Sequence, residues 1–291
     1  MESPFKKIGI IGLGLIGGSL AKSIKGNNLD IKVFGVDINE KAVNYGLKHN
    51  LIDKGSTDYE VLKEADLIFL AVPVRSYYKV LPLLKDFLKK LEKKPLISDL
   101  GSVKGHLVEF AQNLLSSINV EFIGAHPIAG NEKSGIENAI FDLYRNKLCI
   151  ITPTKQNKKE TIEKIIQFWK VLGSIPITMD PYFHDLVFAS VSHLPHLVAY
   201  ALVDTIKKLS KEEKINLFEF VGAGFKDFTR IAASDPTMWK DIFLENKKNI
   251  LKVLETFQKV IAYYKRLIED EKEQELFEVL KETANERRKL S

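Results

Sequence analysis

KIGIIGLGLIG, residues 7–17, is the stretch on which the reading of this chain turns. Its first half is a short apolar run suited to a buried strand. Its second half, Gly12-Leu13-Gly14-Leu15-Ile16-Gly17, spaces three glycines as a strand-to-helix turn around a dinucleotide requires. Gly12 permits the tight turn, Gly14 lets the backbone approach a pyrophosphate, and Gly17 lets the following helix pack closely. Leu15 and Ile16 open that helix, whose N-terminus offers amide donors and a favourable dipole to phosphate. A second apolar segment ends on Asp37, 20 residues beyond Gly17, where a carboxylate accepts hydrogen bonds from an adenosine ribose. An acid there repels a 2′-phosphate, and Ile38 and Asn39 follow it in place of arginine, so NAD is expected over NADP. A plain structural turn competes for the hexapeptide alone; the strand before it and the acid after it favour the cofactor.

Working outward, residues 7–12, 32–37, 67–72, 95–99, 120–125 and 148–152 read as buried strands. Residues 17–25, 39–49, 77–91, 103–115 and 157–172 between them have helical periodicity. The alternation predicts a mostly parallel sheet with right-handed crossovers, closed by a strand at 175–178. Fifteen of the 17 glycines precede residue 180, and beyond it the pattern is nearly all helix. Helices are expected over 185–209, bent at Pro195, over 211–220 with Ser210 as cap, and then over 226–234, 237–270 and 271–289. The fold class is therefore α/β. A Rossmann-like dinucleotide-binding domain over 1–179 precedes an all-helical C-terminal domain over 180–291. The apolar stripe of residues 249–267, with Phe257, Ile261 and Tyr264, is too broad for a lone helix. It must be buried internally or against a second copy, so a homodimer through these helices is expected.

Composition removes several classes. The net charge of +5 divides into 25 Lys and Arg against 19 Asp and Glu in residues 1–179, and 18 against 19 thereafter. Neither part is the focused basic face that a nucleic acid needs. One cysteine cannot close an internal disulfide, and no apolar leader opens the sequence, so a cytoplasmic setting is expected. The strongly apolar stretches, such as LIFLAVPV at 67–74, fall far short of the roughly 18–20 residues that cross a bilayer, so no membrane partner is expected.

Candidate chemistry gathers at the carboxyl ends of strands. Ala71-Val72-Pro73 ends one, and Asp99 and Ser102 follow another; both are candidate cofactor contacts, with a helix cap as the competing reading of Ser102. His126 lies in Gly124-Ala125-His126-Pro127-Ile128-Ala129-Gly130 and can serve as general acid/base near a nicotinamide, or as a buried loop histidine. His193 and His196 lie three apart, but with His184, Asp180 and Asp185 they make no recognised metal pattern, and no metal is expected. Arg230, flanked by Phe228 and Ile231, is expected to be buried, where it can fork onto a substrate carboxylate or form an internal salt bridge, with Lys226 and Asp227 orienting the same network.

Together, GLGLIGGSLA, FGVDIN, LAVPV, SDLGSVK, GAHPIAG, VSHLPH and GAGFKDFTRIAASDPTMW resemble the prephenate/arogenate dehydrogenase family in order and over essentially the whole chain. The resemblance implies NAD-dependent oxidative decarboxylation of prephenate, a small anionic substrate, on the route to tyrosine. It makes His126 the residue that draws the proton from the ring hydroxyl, and Arg230 the one that binds a substrate carboxylate. Ser102 is placed near the hydroxyl and nicotinamide, His196 is a second active-site histidine, and Glu132 is a gate or ionic partner. Tyrosine is implied as an inhibitor. An essential neutral imidazole predicts activity falling below a pKa of about 6–7. Alternatives left open are arogenate or dual specificity, another NAD-dependent hydroxyacid dehydrogenase, and a non-catalytic NAD sensor.

Overall fold

The computed structural model describes residues 2–131 and 133–290, so Glu132 lies outside the described residues. Two compact units emerge, Met1–Asn246 and Lys247–Ser291. In the first, eight strands form one sheet: β1 Lys7–Ile11, β2 Lys32–Val36, β3 Lys54–Ser56, β4 Leu67–Leu70, β5 Leu96–Asp99, β6 Phe122–Pro127, β7 Leu148–Thr152 and β8 Ile175–Thr178. Their order is β3-β2-β1-β4-β5-β6-β7-β8, parallel except for the antiparallel β6–β7 pair. The chain winds outward from β1 through β2 to β3, then returns to β4 on the other side of β1. That reversal opens a crevice at the carboxyl ends of β1 and β4, where ligands of such sheets bind.

Strand alternation builds two cores. Ile8, Ile10, Leu67 and Phe69 face one cluster, which includes Leu20, Ile24, Phe168 and Trp169 of α1 (Leu15–Gly26) and α5 (Lys159–Val171). Ile11, Ile68, Leu70 and Ile97 face the other, with Leu81, Leu84, Leu107 and Ala111 of α3 (Tyr77–Lys89) and α4 (Gly105–Ser116). Because both faces are covered, the strands read as unbroken apolar runs, LIFL being the clearest. The remaining helix of this half, α2 (Glu40–Lys48), is capped by the Asn39 side chain on the Lys41 amide at 3.1 Å.

β8 ends at Thr178, and Asp180 caps α6 (Pro181–Phe188) by accepting from the Tyr182 and Phe183 amides at 2.9 Å. A π-helical turn, Ala189–His193, joins α6 to α7 (Leu194–Glu212), so that 181–212 is one helical run. By length and composition this run is apolar enough to cross a membrane, which corrects the expectation that no segment approaches that limit. Only 22% of its most apolar window is buried in the single chain. α8 (Ala223–Thr229) and α9 (Pro236–Glu245) complete the first unit, and the second holds α10 (Lys247–Glu269) and α11 (Glu273–Arg288). Within that second unit the Tyr263 hydroxyl donates to Glu275 at 2.8 Å.

Three further expectations change. Residues 54–56 form a strand, too short and polar to carry an apolar signal. No separate helix covers 211–220: α7 runs on to Glu212, Lys214 takes a positive φ, and only a 3-10 turn, Leu217–Phe220, follows. The helix expected over 237–270 is broken at Asn246, whose side chain is drawn into hydrogen bonds with Asp185 and His193.

At the end of β5, Asp99 is 1% exposed and forms an ion pair with Lys104, which is fully buried. The same carboxylate accepts from the Ala125 amide at 3.0 Å, the Gly101 amide at 3.0 Å and the Tyr77 hydroxyl at 2.8 Å. Removing one member of such a pair strands a buried charge. Asp99→Asn is expected to destabilise the protein by about 3–5 kcal/mol. Adding Lys104→Met should recover part of that loss, as read by urea unfolding of the single and double variants.

Candidate active site

The glycine turn is built as its sequence demands. Gly12 has φ +97°, and a Cβ there would meet the Ala71 carbonyl oxygen at 2.5 Å. A Cβ on Gly17 would collide with the Gly12 carbonyl oxygen, whereas one on Gly14 would face open space. Gly14 is the N-cap of α1, which has no side-chain cap and no acid in its first turn. Its leading amides, at Leu15, Ile16 and Gly17, are therefore left for an anion. Asp37 accepts from the Leu13 amide at 2.7 Å and the Asn39 amide at 2.8 Å, tying the second strand to the glycine turn while staying partly exposed. Open space over Gly14, bare helix amides and a fixed acid fit a dinucleotide with a free ribose. Ala71 and Val72 are partly buried and Pro73 exposed at the facing end of β4. Asp99 does not join them. Its carboxylate is buried and taken by four internal donors, so the expected cofactor contact is corrected to a structural anchor.

His126 sits within β6 rather than after it, opposite Ile150 of the antiparallel β7. Its Nδ1 lies 2.9 Å from His184 Nε2, and His184 Nδ1 lies 2.9 Å from Asp185 Oδ1. Asp185 is 4% exposed and also accepts from the amides of Lys104 (2.8 Å) and Gly105 (2.9 Å), filling the N-terminus of α4 from outside that helix. A Cβ on Gly105 would meet Asp185 Oδ2 at 3.0 Å and Tyr182 at 2.8 Å, so the glycine allows the carboxylate its approach. Phe188 packs against both imidazoles, with ring centroids 4.9 Å from His126 and 4.4 Å from His184.

A second histidine cluster lies along the same helical run. His196 stacks on Trp239 at 3.6 Å, and its Nδ1 donates to the Ser192 carbonyl at 2.9 Å. Asn246 Nδ2 donates to the Asp185 carbonyl at 2.7 Å and reaches His193 Nδ1 at 3.2 Å. α9, which carries Trp239, is held to the turn after β4 by Glu245, which pairs with Arg75 at 3.1 Å and accepts from the Tyr78 hydroxyl at 2.9 Å. The cofactor side and the aromatic wall are thus joined directly.

Burial pushes all four of these imidazoles below their ordinary range. For His126 the desolvation is reinforced by His184, Lys104 and His193. His184 is lowered although Asp185 opposes the shift. His193 falls to about 3 through burial and its histidine neighbours, and His196 falls through burial, with Arg230 adding to the effect. A neutral His126 is a proton acceptor, and its protonation falls below the range of about 6–7 expected from sequence.

Other sequence-predicted residues are placed as follows. Ser102 is partly buried in the bend before α4 and is not its cap, since α4 begins with Lys104 at the cap position and has no side-chain cap. Arg230 starts a 3-10 turn, Arg230–Ala233, and is exposed, whereas its apolar flanks had suggested burial; it stands within electrostatic range of His196. Lys226 and Asp227 are exposed on α8. Nothing in the sequence marked His184 and Asp185 as partners of His126: with the neighbouring histidines they read as a poor metal set, better suited to core packing or substrate hydrogen bonding. Trp239, Asn246 and Lys104 were missed as well. Among the described residues, no group of three or more His, Cys, Asp or Glu could hold a metal.

The fold and site define a nicotinamide-dependent dehydrogenase. Residues 20–177 match the prephenate dehydrogenase nucleotide-binding domain, and residues 180–282 match the prephenate dehydrogenase dimerization domain. The chain belongs to the prephenate dehydrogenase family. It is 35% identical to the prephenate dehydrogenase of Bacillus subtilis (strain 168) over 278 residues, covering 94% of this chain and 72% of that one. It is 36% identical to the cyclohexadienyl dehydrogenase of Zymomonas mobilis over 264 residues, covering 90% and 87%. Among solved structures, that of Aquifex aeolicus prephenate dehydrogenase with hydroxyphenyl propionate and NAD+ superposes with a TM-score of 0.91, at 42% identity and 98% coverage of both chains.

The four depressed imidazole pKa values also bear on stability. As pH falls, the unfolded chain takes up these protons before the folded one does. Their contribution is therefore complete above about pH 6.5 and is lost between there and the folded values, which reach about 3 at His193. The melting temperature should be flat from about pH 8 to 7 and drop between about pH 6 and 4, with net proton uptake on unfolding at about pH 5 in calorimetry.

Proposed function

We propose that this chain catalyses NAD-dependent oxidative decarboxylation of prephenate to 4-hydroxyphenylpyruvate, with residues 1–179 as the NAD-binding domain and 180–291 as the helical substrate-binding and dimerisation domain. The observation that carries the reading is a neutral, partly buried His126 held at the carboxyl edge of a dinucleotide-binding sheet. Bound NAD+ supplies the hydride acceptor. Gly12, Gly14 and Gly17, the opening amides of α1 and Asp37 would hold it, with Ala71, Val72 and Pro73 along the opposite side.

His126 takes the proton of the ring C4 hydroxyl as the C4 hydrogen leaves with its electron pair. Oxidation makes a dienone whose quaternary carbon bears the ring carboxylate. The bond to that carboxylate breaks, carbon dioxide departs, and the bonding pair aromatises the ring. The phenolate oxygen recovers the proton from His126, so the reaction releases no net proton. Ser102, in the bend before α4, orients the hydroxyl in this reading. Arg230 and His196 receive the anionic end of the substrate, with Lys226 and Asp227 at the margin and Glu132 as an ionic partner.

Prephenate is favoured over arogenate because the cationic and neutral donors assigned to the substrate suit carboxylates and a keto group. The Zymomonas relative's name keeps dual specificity as the second reading. Tyrosine shares its phenol ring and carboxylate with the product, which supports inhibition at the same pocket. The exposed apolar residues of the helical part, among them Val191, Phe220, Val260 and Ile261, support a homodimer, and the setting is cytoplasmic.

With NAD+, absorbance at 340 nm should rise on adding prephenate and rise far less with arogenate; a reversal of that order would reject the substrate assignment. His126→Asn should lower kcat by about 10²–10⁴-fold with NAD affinity retained. Arg230→Ala should raise KM, costing about 1.5–3 kcal/mol of substrate binding, the worth of hydrogen bonds to a charged group. Sedimentation at micromolar concentration should give twice the 33.0 kDa chain mass, and a monomer would remove the dimer.

A further inference from the structure

We propose that His184 and Asp185 are positioning residues for this reaction, forming a relay that fixes which nitrogen of His126 carries its proton. The proposal rests on the reading of His126 as the base. It begins from Asp185, whose carboxylate can only accept hydrogen bonds. Lying 2.9 Å from His184 Nδ1, it requires that nitrogen to bear hydrogen. A neutral imidazole has one N–H, so His184 Nε2 presents a lone pair. The group 2.9 Å from that lone pair is His126 Nδ1, which must therefore donate. Neutral His126 is left with a bare Nε2, on the side of its ring away from His184. That nitrogen is the one able to take a hydroxyl proton.

The relay is rigid because its outer end is fixed by backbone. Asp185 Oδ1 and Oδ2 accept from the Lys104 and Gly105 amides at 2.8 and 2.9 Å, so the carboxylate cannot turn without uncovering the start of α4. Its own carbonyl is held by Asn246 at 2.7 Å. Phe188 packs on both imidazoles and opposes rotation of either ring. Proton movement balances within this frame. The substrate O–H bond breaks as the N–H bond at His126 Nε2 forms, and the same proton later returns to the phenolate oxygen. In the interval, His126 keeps its Nδ1–H on His184 Nε2, and the Asp185 charge one ring away favours the imidazolium. The arrangement follows the general rule that a histidine's working nitrogen is set by the hydrogen bond its other nitrogen makes.

The test is nitrogen NMR of the full-length protein with labelled histidine, recorded without cofactor or substrate, alongside steady-state kinetics. In the unmodified protein, His126 should show a protonated Nδ1 and an unprotonated Nε2. His184→Phe keeps a ring but offers no acceptor. It should move the His126 proton toward Nε2 and lower kcat by about 10²-fold or more, with KM within about twofold. His184→Gln restores a carbonyl acceptor and should recover at least about tenfold of that loss. A wild-type His126 protonated on Nε2 overturns the relay, and so does a His184→Phe enzyme with unchanged tautomer and kcat. Should His184→Phe not fold, the wild-type tautomer and the His184→Gln kinetics still decide. Failure of the base assignment is separately visible: His126→Asn would then keep its turnover, whatever tautomer the spectrum reports.

Discussion

The ion pair between Lys104 and Asp99 is the contact from which the histidine cluster hangs. Both residues are essentially inaccessible to water, at 0% and 1% exposure, so neither charge can be left alone without a penalty of several kcal/mol. The pair pins the end of β5 to the start of α4. Through the Ala125 amide, Asp99 also fixes the backbone beside His126. Lys104 then uses its main-chain amide to hold Asp185. One lysine thus sets the end of a strand, the start of a helix and the carboxylate behind two histidines, and its charge helps keep the His126 ring unprotonated. Position and protonation state share a cause.

The cofactor end depends on steric exclusion rather than charge. Gly12 and Gly17 are required because backbone and the Ala71 side chain occupy the space a Cβ would need. Gly14 is required for the opposite reason, because the space over it must stay open. Asp37 bonds the Leu13 amide and so holds the turn that carries the glycines, while its partial exposure leaves it available to a ribose. Glu245 joins this end to the other, since Arg75 and Tyr78 follow β4 directly and α9 carries the Trp239 ring on which His196 stacks. Electrostatics at one pole and close packing at the other are coupled through a single carboxylate.

These two modes were unequally legible in the sequence. Packing was readable because it leaves periodic marks. The apolar runs of β1, β4 and β7, the glycine spacing and the acid after β2 fall where local pattern placed them. Where pairing decides structure, the pattern was mute. β3 is a polar three-residue edge strand that exists because it pairs with β2, and the reversed direction of β7 is a property of partners rather than composition. The charge network was harder still. Asp99 and Lys104 are five residues apart in a loop-like stretch, and nothing local says that both are buried. Asp185 was visible only as the neighbour of His184, since its main partners are amides 80 and 81 positions away. Arg230 shows the converse, with apolar flanks that predicted burial for a side chain the fold leaves exposed.

The helical run through His184, His193 and His196 shows most clearly why a period of 3.6 residues was not enough. In an uninterrupted α-helix each residue advances about 100°, so His196 would point about 120° away from His184. The π-helical turn at Ala189–His193 absorbs one extra residue and takes back about 100°, leaving the two rings about 20° apart. His193 is likewise carried round to within about 80° of His184, close enough for His184 to help depress its protonation. Pro195 makes the extra residue inexpensive: it sits in the first turn of α7, where its missing amide removes one of the α-helical bonds that would otherwise close the turn. A proline that from sequence alone reads as a bend thus works as a register shift. It turns histidines that the α-helical period would scatter toward a common side, where His184 meets His126 and His196 stacks on Trp239.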